Sequence, residues 1–87
     1  MCDTQVGVGA VKTKTEIRDV AGLLQRRRNP FSRGVRSECA AALAIPTREL
    51  RRWSARRLDA VHRLLGEGYE TEFNAGRRWA LAWLRAP

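Results

Sequence analysis

The sequence predicts an all-α fold, a small domain of three to four helices behind a flexible N-terminal arm. Three observations carry this. Apolar residues recur at helical spacing in four separate stretches, capping signals precede several of them, and proline or glycine breakers separate them. The expected helices lie near 14–28, 35–45, 47–65 and 75–86. Residues 1–12 form the arm and residues 13–87 a single helical domain, as suits a chain of 87 residues.

Taken in order, Val6-Gly-Val-Gly-Ala-Val11 is too small and glycine-rich for a helix, and suits an arm or one short strand. No Gly-Lys-Ser/Thr follows these glycines, which excludes a phosphate loop. Thr13-Lys-Thr-Glu16 has capping-box spacing, and Ile17, Val20, Ala21 and Leu24 then share one helical face. Arg26, Arg27 and Arg28 fall in the last turn of that expected helix, where they either complement the dipole or contact phosphate. Asn29-Pro30 ends it, Phe31 folds back into the core, and Ser32 or Gly34 opens the second helix, with Val35, Cys39, Ala42 and Leu43 on its apolar face. Pro46 stops that helix. Thr47 is a candidate N-cap for the third, in which Leu50, Trp53, Leu58, Val61 and Leu65 form the stripe. Gly66 and Gly68 end it. Tyr69 to Phe73 reads as an acidic connector and Asn74 as the cap of the last helix. There Trp79, Ala80, Trp83 and Leu84 share the core face, while Leu81 lies opposite among Arg77, Arg78 and Arg85. No internal repeat or low-complexity segment is apparent.

The hydrophobic share of 44% suits a folded domain, and the net charge of +8 calls for an anionic partner. Fifteen of the seventeen basic residues are Arg and twelve residues are Ala; GC-rich coding raises both, so location says more than amount. Residues 26–36 hold five Arg and no acid, and residues 47–63 hold six Arg against Glu49 and Asp59. No apolar run of ~18 residues exists to span a membrane, and the first residues do not read as a secretory signal, so a cytoplasmic protein is expected.

Positive charge is thus densest around Val35 to Arg57, two short helices joined by a tight turn at Pro46. This stretch resembles the helix-turn-helix superfamily of DNA-binding proteins: Ala40 falls at its small inter-helix position, and Leu43, Ile45, Leu50 and Trp53 at its core contacts. Its turn glycine is replaced here by Ala44. The resemblance implies that the 47–57 helix enters the major groove of double-stranded DNA.

With Leu50 and Trp53 inward, Thr47, Arg48, Arg51, Arg52 and Ala55 face out, placing arginines where they can form paired bonds to guanine. Arg56 and Arg57 lie farther along, suited to phosphate, as do Arg26, Arg27 and Arg28. Leu81, Trp83, Arg77 and Arg78 are candidates for a partner or dimer contact. The inventory for catalysis is thin: His62 is the sole histidine, Cys2 and Cys39 form no metal set, and the acids are scattered. The expectation is a binder without cofactor or metal. Its leading form is a DNA-binding transcriptional regulator of bacterial, plasmid or phage origin. The alternative is a phage or mobile-element inhibitor that uses its arginine face against a host protein or nucleoprotein machine. A lesser alternative lays residues 77–85 on a membrane surface.

Overall fold

The computed structural model describes residues 12–86, which form four α-helices: α1 (Lys14–Leu23), α2 (Pro30–Leu43), α3 (Thr47–Gly66) and α4 (Glu72–Arg85). The described residues contain no strand, in agreement with the all-α expectation. The expectations for the arm up to Val11, and for Cys2, concern residues outside this range.

The capping box at α1 forms as the spacing predicts. Thr13 Oγ1 accepts from the Glu16 amide at 3.1 Å, and Glu16 Oε1 accepts from the Thr13 amide at 2.8 Å. That amide holds the Glu16 carboxyl below its ordinary pKa. α1 nevertheless stops at Leu23, short of residue 28. Gly22 weakens its last turn, since glycine is a poor helix former. Arg26, Arg27 and Arg28 therefore lie in a loop and not in a helical last turn.

Asn29-Pro30 does not merely end α1; it begins α2, four residues before Gly34. Asn29 Oδ1 accepts from the Ser32 amide at 2.8 Å, and Pro30 takes the first helical position, where a missing N–H costs nothing. At α3 the cap is Pro46, with no side-chain bond; Thr47 is the first helical residue, not the cap. α3 ends in a Schellman turn. Tyr69 N bonds Leu64 O at 3.0 Å and Gly68 N bonds Leu65 O at 3.2 Å, with Gly68 at φ +98°. α4 begins earlier than expected, because Thr71 rather than Asn74 caps it, accepting from the Asn74 amide at 3.1 Å.

α4 is the central helix: it packs on both α2 and α3, and α1 packs on α2. Ile17, Leu50, Leu81 and Leu84 are wholly buried, as are Val35, Cys39, Ala42, Val61 and Ala80. Each large aliphatic side chain in this set contributes ~1.5–3 kcal/mol of burial. Where α2 crosses α4 the backbones touch. A Cβ on Gly34 would lie 2.1 Å from Phe73 O, and one on Gly76 would lie 2.0 Å from Phe31 O.

This crossing accounts for several departures from the sequence reading. The close backbone approach at Gly34 and Gly76 leaves no room for bulk at the α2–α4 crossing, and the tryptophans sit at its rim: Trp79 is 46% exposed and Trp83 half-buried. Phe31 meets α4 through its carbonyl, leaving its ring 38% exposed and tilted against Trp79 at 6.4 Å. Leu81, expected at the surface, is fully buried, because α4 is covered by α3 as well as by α2. On α3 the inward position after Leu50 belongs to Ser54, whose Oγ donates to Arg51 O at 3.0 Å. Trp53 is consequently half-buried at the edge of the core.

Two lysines fasten the helix ends. Lys14 Nζ donates to the carbonyls of Ala42 (3.2 Å), Leu43 (3.0 Å) and Ile45, using its three donors on the negative end of α2. Lys12 Nζ donates to Ala86 O at 3.0 Å, its amide reaches Leu84 O at 3.4 Å, and its ammonium lies 5.4 Å from the Trp83 ring centre.

Candidate nucleic-acid interface

The arginines of α3 divide by helical position. Those on the side away from Leu50, Ser54 and Leu58 stay in solvent: Arg48, Arg51, Arg52 and Arg56 are exposed, as is Thr47. Because the chain turns back after Gly66, the C-terminal end of α4 returns to the N-terminal half of α3. An open groove of about 470 Å³ results, lined by Arg48, Glu49, Arg51, Arg52, Ala55 and Arg85. Arg85 is an addition: it belongs to another helix, 30 or more residues away, and no local pattern assigns it to this face.

Charge in the groove is largely uncompensated. Arg48 approaches Glu49 at 4.0 Å, but both are well exposed, so the pair contributes little. Arg51, Arg52 and Arg85 pair with no carboxylate among the described residues. The positive end of the α3 dipole lies at the same place, since Pro46 provides no side-chain cap.

Arg57 does not join this face. It turns inward to Glu38, a carboxylate with no solvent exposure on the buried side of α2. Arg57 Nε and Nη2 donate to its two oxygens at 2.7 and 3.1 Å, and Arg77 Nε donates to Oε2 at 2.7 Å. The bond to Glu38 raises the Arg57 pKa, so the guanidinium stays charged. The Arg57 guanidinium also stands 5.1 Å from the Trp53 ring centre. Arg57 is thus a link between α2 and α3, turned to Glu38 and away from the phosphate contact expected of it. Arg77 likewise turns to Glu38 and away from the partner surface expected of it.

α2 and α3 share little interface beyond this ion pair and their connecting turn, and Ala40, the residue that the helix-turn-helix resemblance places between them, is exposed. Of the four residues expected at a partner surface, Leu81 and Arg77 are turned inward. Arg78 is exposed, and half-buried Trp83 stacks on Trp79 at 6.2 Å with the rings nearly parallel. Arg26, Arg27 and Arg28 are exposed in the α1–α2 loop.

Glu38 and Lys14 escaped the sequence reading, although Glu38 carried a signal. It lies three residues after Val35 and beside Cys39, so an acid sits on an apolar face and requires a partner. Burial, with Glu38 adjacent, pushes the Cys39 thiol up to about 11. No group of three or more His, Cys, Asp or Glu suited to a metal occurs among the described residues, and His62 is exposed. No described helix is long and apolar enough to cross a membrane.

The fold and face define a small all-α protein with an arginine-lined groove. Comparison with protein-family models, curated proteins and solved structures gives no match.

Proposed function

We propose that this chain is a double-stranded-DNA-binding protein, acting as a cytoplasmic transcriptional regulator of bacterial, plasmid or phage origin. One observation carries the reading: Arg48, Arg51, Arg52 and Arg85 converge on a groove whose only acid among the described residues is Glu49. That mixture suits base edges better than phosphate alone. Arginine donates a pair of bonds to guanine O6 and N7, and a glutamate accepts from cytosine N4, so one G·C pair offers a partner to each. The N-terminal half of α3 enters the major groove, and Arg56, beyond the groove lining, meets the backbone. A dimer would read two half-sites about 34–36 Å apart.

The test is anisotropy titration of selected and scrambled duplexes with wild type and with Arg51→Ala/Arg52→Ala. Each base-reading arginine supplies ~1–3 kcal/mol of discrimination, so the double variant loses sequence preference before it loses all affinity. Wild-type binding that is weak and indifferent to sequence would overturn the proposal.

A second reading, the inhibitor of a host nucleic-acid machine, is favoured by a different observation. Phe31, Trp79 and Trp83 form a continuous aromatic rim, with Trp79 46% and Phe31 38% exposed. Aromatic side chains of this kind dominate protein–protein hot spots. Recovery of one defined protein complex from nuclease-treated lysate, lost in Trp79→Ala, would favour it.

A further inference from the structure

We propose a second anion site, specific for backbone phosphate, between the α1–α2 loop and the first turns of α2. Gln25, Arg28, Arg33 and Arg36 line an open groove of about 440 Å³ there. No acid lines it, and none of its three guanidiniums pairs with a carboxylate among the described residues. Like charges this close repel one another, and the groove keeps its shape because Arg36 is tied down. Its Nη2 donates to Arg27 O at 2.9 Å and its Nη1 to Gln25 O at 3.4 Å. Its Nε is buried without a partner. Arg36 is therefore a fixed cation held by neutral carbonyls, its charge undiminished, with exposed Arg28 and Arg33 beside it. The positive end of the α2 dipole, capped at Asn29, adds to the same field.

The site is separate from the α3 groove. Lys14 holds the start of α1 to the end of α2, so α1 runs back along α2 and its loop lies at the opposite end from Pro46. α2 spans 14 residues, which at 1.5 Å per residue is roughly 20 Å between the two ends. That spacing lets one protein touch nucleic acid at two places, either two stretches of one duplex backbone or two duplexes. A set of cations with no acceptor other than carbonyls favours phosphate oxygens over base edges, where donors and acceptors alternate. Assigning the phosphate to nucleic acid rests on the DNA reading above; the phosphate chemistry itself does not.

Two measurements on the full chain separate these levels, using Arg28→Ala/Arg33→Ala and leaving Arg36 in place so that the loop stays pinned. The first is a tripolyphosphate titration followed by NMR of the arginine Nε–H signals. Saturable shifts at Arg28, Arg33 and Arg36 are expected in wild type, with at least tenfold weaker binding in the variant. The absence of a saturable shift overturns the site. The second is a salt titration of duplex binding. Loss of two phosphate contacts lowers the log–log slope by roughly 1.8, at about 0.9 per phosphate, without altering sequence preference. An unchanged slope beside tight wild-type binding overturns the second site and leaves the α3 face standing. Sequence-blind, weak duplex binding beside saturable tripolyphosphate shifts overturns the DNA reading and keeps the phosphate site. Co-capture of a second labelled duplex, lost in the variant, identifies the phosphate as that of another duplex; a lowered slope without co-capture assigns it to the same one.

Discussion

Gly34 and Gly76 occupy equivalent positions in the two helices that cross: each lies against the carbonyl that the other helix presents three residues earlier, Phe73 for Gly34 and Phe31 for Gly76. The equivalence extends to the caps. Asn29-Pro-Phe-Ser-Arg-Gly34 and Thr71-Glu-Phe-Asn-Ala-Gly76 share an N-cap, a phenylalanine two residues on and a glycine three beyond it. The caps set where each helix begins, and hence the height at which each glycine meets its neighbour's backbone.

Adding a methyl group should therefore have opposite effects at different glycines. Gly34→Ala and Gly76→Ala force a Cβ against main chain and should destabilise by ~3 kcal/mol or more. Gly22→Ala, in open space within α1, should be neutral or stabilise by up to ~1 kcal/mol. Urea denaturation of the three variants checks the sign; a stabilised Gly34→Ala would mean that the backbones do not touch.

Removing Glu38 strands two guanidiniums. Glu38→Gln should cost ~3–5 kcal/mol and Arg77→Ala less, because Glu38 keeps its two bonds to Arg57, whereas replacing Glu38, Arg57 and Arg77 together by Leu, Met and Met should cost far less than Glu38→Gln. A triple-mutant melting temperature close to wild type, beside a collapsed Glu38→Gln, is the expected pattern. If Glu38→Gln alone melted like wild type, the triad would be peripheral to stability.

Cys39 gives a pH dependence. Its folded pKa of about 11 lies above the ordinary 9.0, so the neutral thiol is favoured in the folded state. This contribution is fully present below pH 9 and declines as pH rises toward 11, by ~3 kcal/mol. Cys39→Ala should flatten that part of the stability profile. In a Cys2→Ser background the remaining thiol should react with a disulfide reagent at neutral pH only after unfolding, and rapid labelling of the native protein would show it to be accessible.

Arg57 leaves the arginine face on which sequence position places it, and Arg85, from another helix, joins that face. Arg57→Ala should lower stability, with duplex affinity per folded molecule little changed. Arg85→Ala should leave the melting temperature alone and weaken duplex binding by ~1–3 kcal/mol. Paired melting and anisotropy measurements separate the two, and the reverse result would remove Arg85 from the interface.

How far the sequence was readable follows from the range of each interaction. The Thr13–Glu16 capping box, the apolar face of α2 through Val35, Cys39 and Ala42, and the glycine stop after α3 all act within a few residues, and they appear as expected. Arg48, Arg51 and Arg52 face solvent because helical spacing alone settles it once Leu50 is inward. Arg85, Lys14 and the Glu38 partners depend on residues 19 to 39 positions away, which periodicity does not encode. The tryptophans misled for a related reason. Bulk argues for burial, but a crossing built on Gly34 and Gly76 has no room for it.

The bonds from Lys12 to Ala86 and Leu84 bring the two ends of the described chain together. The order of helices in the gene is then one of several that could encode the same architecture. A circular permutant of residues 12–86 that joins these ends by a short glycine-serine linker and opens the chain between exposed Tyr69 and Glu70, just past the turn that closes α3, should fold, since no buried backbone is cut there. It would also place new termini far from the arginine groove, where a fused label or tether leaves that face open.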